Sequence, residues 1–363
     1  MIPNDDKISS VELGIFIFLA IMGIGILPLP SILSQSVNND AWVLVLISGL
    51  ISILFLYIIC KLGERHNSLG FVETLRFLFG KILGTILAIP VALYAIEIAA
   101  IELRLFAEIT KIYLLHKTPL EFIILPMILL TVILVRMGIE PIARSFGVFL
   151  PIGIFIILLL LIFSIQKSDY SNLQPFFTTP TIKYITGLGA TFFAYAGFEI
   201  TLVIFPALRE PKKAFKASAI GLLCAIAVYA IITVQCIAGL GSEELKSLIW
   251  PVMALTKSIS IPGGFIENVE GFLNSMWVLY SFAALVAFVY FFSVVSADIF
   301  KHKKPKHFAS LCIPIVYLLA LQGDSVAEVF RLSDTIMMYL GTYTMAILPV
   351  LMLAFSYLKG KKV

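Results

Sequence analysis

Charge is what this 363-residue chain has least of. Asp, Glu, Lys and Arg make up only 13% of it, about half the roughly 25% of a typical soluble domain, and that shortage excludes an ordinary water-soluble fold. Histidine and cysteine are also scarce, at four each. Cys60, Cys224, Cys236 and Cys312 lie in apolar segments without a CxxC pair, and His66, His116, His302 and His307 lie between such segments. Neither a metal site nor a disulfide framework is legible in that spacing. The chain has no Walker A loop, no GxGxxG at a strand–helix junction, no HExxH and no Ser/His/Asp set at one depth, so an enzyme is not expected, nor any cofactor or metal. A net charge of +4, with its Lys and Arg dispersed between apolar blocks, lacks the basic stripe of a nucleic-acid binder. The opening MIPNDDKISS is acidic where a signal peptide is basic, and the apolar run behind it is too long for a cleaved segment, so the first span is expected to be retained. The tails are short, and no attached soluble domain is expected.

What is abundant is apolar sequence, 60% of the chain, gathered in blocks of about 20 residues, long enough to cross a hydrocarbon layer of about 30 Å. The predicted fold class is an all-α membrane protein of ten transmembrane helices, at roughly 11–36, 41–60, 83–115, 119–137, 145–165, 184–207, 215–240, 269–299, 308–322 and 333–358. The ninth is short and contains Pro314. With the N-terminus inside, 18 Lys and Arg fall in inner segments, 7 in outer ones, and Arg104 lies within a span. The positive-inside rule then predicts both termini cytoplasmic, in agreement with an even span count.

Two spans are interrupted. Span 1 reads IMGIGILPLP, with Gly23, Gly25, Pro28 and Pro30; span 6 reads ATFFAYAGFEI, with Gly197 beside the ionisable Glu199. Such residues remove helical partners from backbone groups in mid-membrane. One break alone reads as a packing kink. Two breaks five spans apart are what a 5+5 inverted repeat with discontinuous helices 1 and 6 places around a midplane site. The expected organisation is one transmembrane domain, 1–363, with repeat one at about 11–165 and repeat two at about 184–358. No residue-level identity links the halves, so the repeat rests on span count and break position.

Ionisable groups inside a bilayer are costly enough to mark function. Span 3 carries Glu97, Glu102, Arg104 and Glu108. At about 100° per residue Glu97, Arg104 and Glu108 share a face, with Glu102 well off it. Arg104 and Glu108 are expected to pair, whereas Glu97, two turns away, is expected to face a cavity or ligand. Glu199 has two candidate roles, accepting hydrogen bonds from amides freed at a break or answering a ligand ammonium group. Asp298, beside the basic KHKKPK stretch, reads as a solvated end charge. A ligand carboxylate would suit the half-helix N-terminus at Gly23–Gly25, and its ammonium the carbonyls of span 6 with Glu97 or Glu199. That chemistry suits a free amino acid. Tyr94, Phe193, Tyr195 and Phe198 are candidate walls, and a merely hydrated pocket that passes water or ions is the alternative.

GIGILPLP in span 1 and FFAYAGFE in span 6 resemble the paired signature of the amino acid/polyamine/organocation transporter superfamily, a small-residue G-x-G turn and an F-A-x-x-G-x-E segment. Within it, the opening ISSVELGIFIFLAIMGIGILPLP followed by NNDAWVLVLISGL resembles the B-subunit permeases of endospore germinant receptors. The resemblance covers essentially all ten spans. It implies a leucine-transporter-type fold in the spore inner membrane, working with A-type and C-type subunits to sense nutrients such as amino acids. Carried over by motif, it points to Gly23, Ile24 and Gly25, and to Tyr195, Ala196, Gly197, Phe198 and Glu199; Glu97 enters only through burial and charge. Sodium-coupled relatives use span 8 hydroxyls, for which Ser281, Ser293 and Ser296 are available, with Ser281 the candidate ion-site residue. Some proton-coupled relatives place a lysine in span 5, and this span 5 has none. The expectation is therefore a ligand-sensing subunit, with a proton- or sodium-coupled amino acid transporter and a passive conduit as alternatives.

Overall fold

In the apolar interior of a bilayer a chain must satisfy its own backbone, and helices do so within each segment. The computed structural model describes residues 6–166, 168–258, 269–302 and 304–360, and these are almost entirely helical. Lys167, Lys303, Lys361 and Lys362 of the basic count lie outside the described residues. The helices are α1 (Ser10–Ile21), α2 (Leu29–Val37), α3 (Ala41–Arg65), α4 (Phe71–Phe79), α5 (Lys81–Tyr113), α6 (Leu120–Arg136), α7 (Ile139–Ile165), α8 (Thr181–Phe193), α9 (Thr201–Ile204), α10 (Ala214–Leu240), α11 (Ser242–Leu245), α12 (Pro251–Ser258), α13 (Val269–Ile299), α14 (Lys306–Ala320), α15 (Val326–Ile336) and α16 (Leu348–Lys359).

Among the described residues six stretches are long and apolar enough to cross a membrane, and α8 with the segment Phe198–Ala207 forms a further pair bent by 51°; α1 and α14 are shorter apolar helices. The best apolar window of the span formed by α13 is 72% buried inside the protein and that of α7 28%, so α13 runs through the bundle centre and α7 along its outer face. Val148, Ile152, Phe155, Leu158, Ile162 and Ile165 of α7 are exposed, a stripe at helical spacing suited to lipid. The strongest packing joins α13 to α5, α1 to α10, and α10 to α3. The α1–α10 crossing is close: a Cβ on Gly221 would lie 2.1 Å from the Gly14 carbonyl oxygen.

Polar side chains fasten the ends. Ser9 and Glu12 form a reciprocal capping box at the start of α1. The backbone of Ile8 bonds to Ala207 and Arg209, joining the N-terminal segment to the stretch after α9. Asp40, 1% exposed, accepts from the Phe177 and Thr179 amides and holds that loop on the entrance to α3. Arg104 donates to Glu108 at 2.9 Å and to the carbonyls of Ala320 and Gly323 at 3.0 Å each, closing the C-terminal end of α14; the pair expected from sequence is present. Asp298 departs from its expected solvated role. It is half-buried, its Oδ2 would lie 2.9 Å from a Cβ on Gly70 at the start of α4, and Arg76 bonds to the carbonyls of Asp298 and Ile299. Burial there follows from α4 packing across the end of α13.

Candidate functional site where two helix breaks meet

The helical run of α1 stops at Ile21 and resumes only at Leu29, with a short 3₁₀ turn at Ile24–Ile26 between. Pro28 and Pro30 lack the amide protons that an unbroken helix would use. Gly23 is required by close approach. A Cβ there would fall 1.9 Å from Glu102 Oε1 and 2.8 Å from the Ala284 methyl, so the α5 carboxylate is seated directly on the break. Gly25 has more room, its nearest neighbours being Tyr229 Oη at 3.5 Å and the Ala194 carbonyl oxygen at 3.6 Å. The backbone of Ile24 lies in the 3₁₀ turn; its side chain is outside the described residues.

The second break follows α8. Gly197 adopts φ +127°, a conformation side chains rarely tolerate. A Cβ on it would lie 2.9 Å from Ala20 C and 3.0 Å from Ile21 N, so the two interruptions touch backbone to backbone. Glu199 Oε2 accepts from the Gly197 amide at 2.8 Å, and Oε1 from the Tyr94 hydroxyl at 2.7 Å. This is the amide-holding role of the two considered for Glu199. Tyr229 Oη donates to the Ile21 carbonyl at 2.7 Å and lies 3.2 Å from that of Ala194, so one α10 hydroxyl bridges the ends of both broken helices.

The other predicted residues divide. Tyr94, Tyr195, Phe198 and Glu199 are fully buried, and Ala196 is 9% exposed. Tyr195 Oη donates to the Val45 carbonyl at 2.8 Å, and its ring packs on Tyr229. Phe193 is partly buried and packs on Phe192. Glu97 is half-buried, and none of the described hydrogen bonds or ion pairs involves it. Ser281 is buried, and among the described residues its hydroxyl has no hydrogen-bond partner. Among the described residues no group of three or more His, Cys, Asp or Glu could hold a metal ion.

Three features were not singled out from sequence. Helical spacing puts Glu102 off the face of Glu97 and Arg104, yet in the structure Arg104 turns to the end of α14 and Glu102 to Gly23 at the break after α1. Tyr229 is one tyrosine in an apolar helix, with no motif to mark it. Span 10 reads as a plain helix but contains two π-helical stretches, Met337–Gly341 and Tyr343–Ile347. A Cβ on Gly341 would lie 3.6 Å from the Tyr94 ring, which places the first wide turn behind the Tyr94–Glu199 bond. Such turns recur at functional sites.

Residues 7–329 match the spore permease family, described as spore germination protein. The chain belongs to this family. Its relatives include spore germination protein YndE of Bacillus subtilis (strain 168), 29% identical over 357 residues and 98% of each chain. Spore germination protein A2 of the same organism is 28% identical over 321 residues, covering 88% of this chain and 87% of the relative. Solved structures of similar fold include Mhp1, a nucleobase-cation-symport-1 family transporter in a closed conformation with bromovinylhydantoin bound, at TM-score 0.70, 14% identity and coverage of 97% of this chain and 78% of that one. MhsT in complex with L-phenylalanine matches at TM-score 0.69, 16% identity and coverage of 95% and 88%. The chain thus has a helical fold like that of these two solved structures, and the relatives are named for germination rather than catalysis.

Proposed function

We propose that this spore germination family member is a nutrient-sensing membrane subunit, binding a small nutrient, most simply a free amino acid, where the breaks before α2 and after α8 meet. In this reading the chain forms ten spans in a 5+5 inverted repeat, with both termini cytoplasmic, in the spore inner membrane. It works with A-type and C-type receptor subunits. The observation that carries the reading is the contact between the breaks, with Gly197 lying on the Ala20–Ile21 backbone and Tyr229 bridging the Ile21 and Ala194 carbonyls. Movement of either broken helix must change both, so a ligand lodged there gains differential contacts between two arrangements of the bundle, which is what allows binding to shift a population. A shift from 1:99 to 99:1 needs a preference of about 10⁴-fold for one arrangement.

The test is germination of spores whose only copy of this chain is wild type or Gly25→Leu, followed by loss of optical density on a panel of L-amino acids. A Cβ at Gly25 fits the structure, while the rest of a leucine side chain would crowd Tyr229 Oη and the Ala194 backbone, where the breaks meet. The expected result is a response to a nutrient in wild type and none in the variant, at equal protein level in the membrane. A normal response in a stably present variant would overturn the site.

A further inference from the structure

Glu97 is the central residue of the 33-residue α5, about 24 Å from either end at a rise of 1.5 Å per residue. It is half-buried, and among the described residues nothing bonds or pairs with its side chain. Ile86 and Leu93, on the same face of the helix by their spacing from Glu97, are 53% and 50% exposed. The π-helical stretch Met337–Gly341, packed on α5, exposes Met338 and Tyr339 as well. This flank is apolar, with an unsatisfied carboxylate in it at the depth of the hydrocarbon layer. Acyl chains offer no hydrogen-bond donor, and an intramembrane carboxylate without one is costly.

Arg104 is the only buried Lys or Arg among the described residues, and it is held by Glu108 and by the Ala320 and Gly323 carbonyls. Two copies of the chain packed symmetrically on this flank would set one Glu97 against the other. A cationic side chain brought by a different protein supplies both the opposite charge and the donors, and such a bond is strongest at low dielectric. We propose that this flank of α5 receives a transmembrane helix of another protein, and that Glu97 binds a Lys or Arg side chain from the middle of that helix. Tyr94, one turn of α5 away, holds Glu199 at the second break, so the docked helix lies beside the element that shapes the site. The assignment rests on the reading of this chain as a receptor subunit, and it holds whichever nutrient binds.

The test places a photo-crosslinking amino acid at Leu93 of the full-length chain in its spore-forming host and sequences the adducts formed in intact membranes. The expected adduct is a peptide from a membrane-spanning segment of another protein with a Lys or Arg inside its apolar run. Its yield is expected to fall about tenfold or more in Glu97→Leu, as loss of a charge-assisted hydrogen bond requires, and to return when Glu97→Lys is combined with Glu in place of the partner's basic residue. Purified alone, Glu97→Leu is expected to melt at or above the wild-type temperature, because no bond within the chain is lost. Adducts with lipid or with a second copy only, an adduct whose apolar run holds no basic residue, an unchanged yield in Glu97→Leu, or a purified Glu97→Leu chain that melts earlier than wild type overturns the assignment. The ligand site fails separately: a Gly25→Leu chain that keeps both its nutrient response and the adduct overturns the site between the breaks and leaves Glu97 where it is placed here.

Discussion

Glycine at 23, 25 and 197 looks like one kind of residue in the sequence and turns out to be three. Gly197 is fixed by its backbone angle of +127° and by its seat on Ala20 and Ile21, Gly23 by the Glu102 carboxylate, and Gly25 by neither, its nearest neighbours being at ordinary contact distance. Gly197→Ala should therefore cost about 2 kcal/mol or more through strain and backbone displacement, while Gly25→Ala should melt close to wild type; thermal unfolding of the two variants in the same detergent checks this, and the reverse order would contradict the packing described. Tyr229→Phe removes a hydroxyl from the Ile21 carbonyl and is expected to cost about 1–3 kcal/mol, the cost of leaving a buried acceptor unsatisfied. The Gly and Pro residues at each break were legible in the sequence because they cannot sustain a helix. Their partners were not, since Tyr229 and Glu102 come from helices 208 and 79 residues away from Ile21 and Gly23, and nothing local encodes that meeting.

At the level of elements, α5 carries two of the five buried charged side chains among the described residues, Glu102 and Arg104, and uses its faces differently. Helical spacing correctly pairs Arg104 with Glu108, but it ranks faces only relative to one another and does not say which neighbour each face meets. Arg104 pairs with Glu108 on its own helix and closes the end of α14 through the Ala320 and Gly323 carbonyls, so Arg104→Met is expected to cost about 3 kcal/mol, because Glu108 and those carbonyls lose their partner. Urea or thermal unfolding of the variant measures this, and a combined Arg104→Met, Glu108→Gln chain should recover part of the loss. An Arg104→Met chain as stable as wild type would mean that the α5–α14 tie carries no weight. The π-helical stretches of the last span had no sequence signature, because a wide turn depends on the Tyr94 and Leu87 surfaces of α5 and not on residue type.

For the whole molecule, long apolar blocks separated by polar loops made a helical membrane protein legible from composition alone, and the six long apolar helices with one bent pair agree with that. The ten-span, twofold-repeated arrangement proposed for it requires the shorter helices α1 and α14 to serve as parts of spans, a matter of three-dimensional placement that block length does not determine. The central claim is that one small nutrient binds where the two breaks touch. Its most direct measurement is ligand-induced thermal stabilisation of the purified chain against L-amino acids, nucleosides and sugars, with Gly25→Leu alongside. The account predicts a saturable shift for amino acids that is absent in the variant, both proteins melting at similar temperatures without ligand. A shift of equal size in the variant, or a shift confined to nucleosides or sugars, would contradict it.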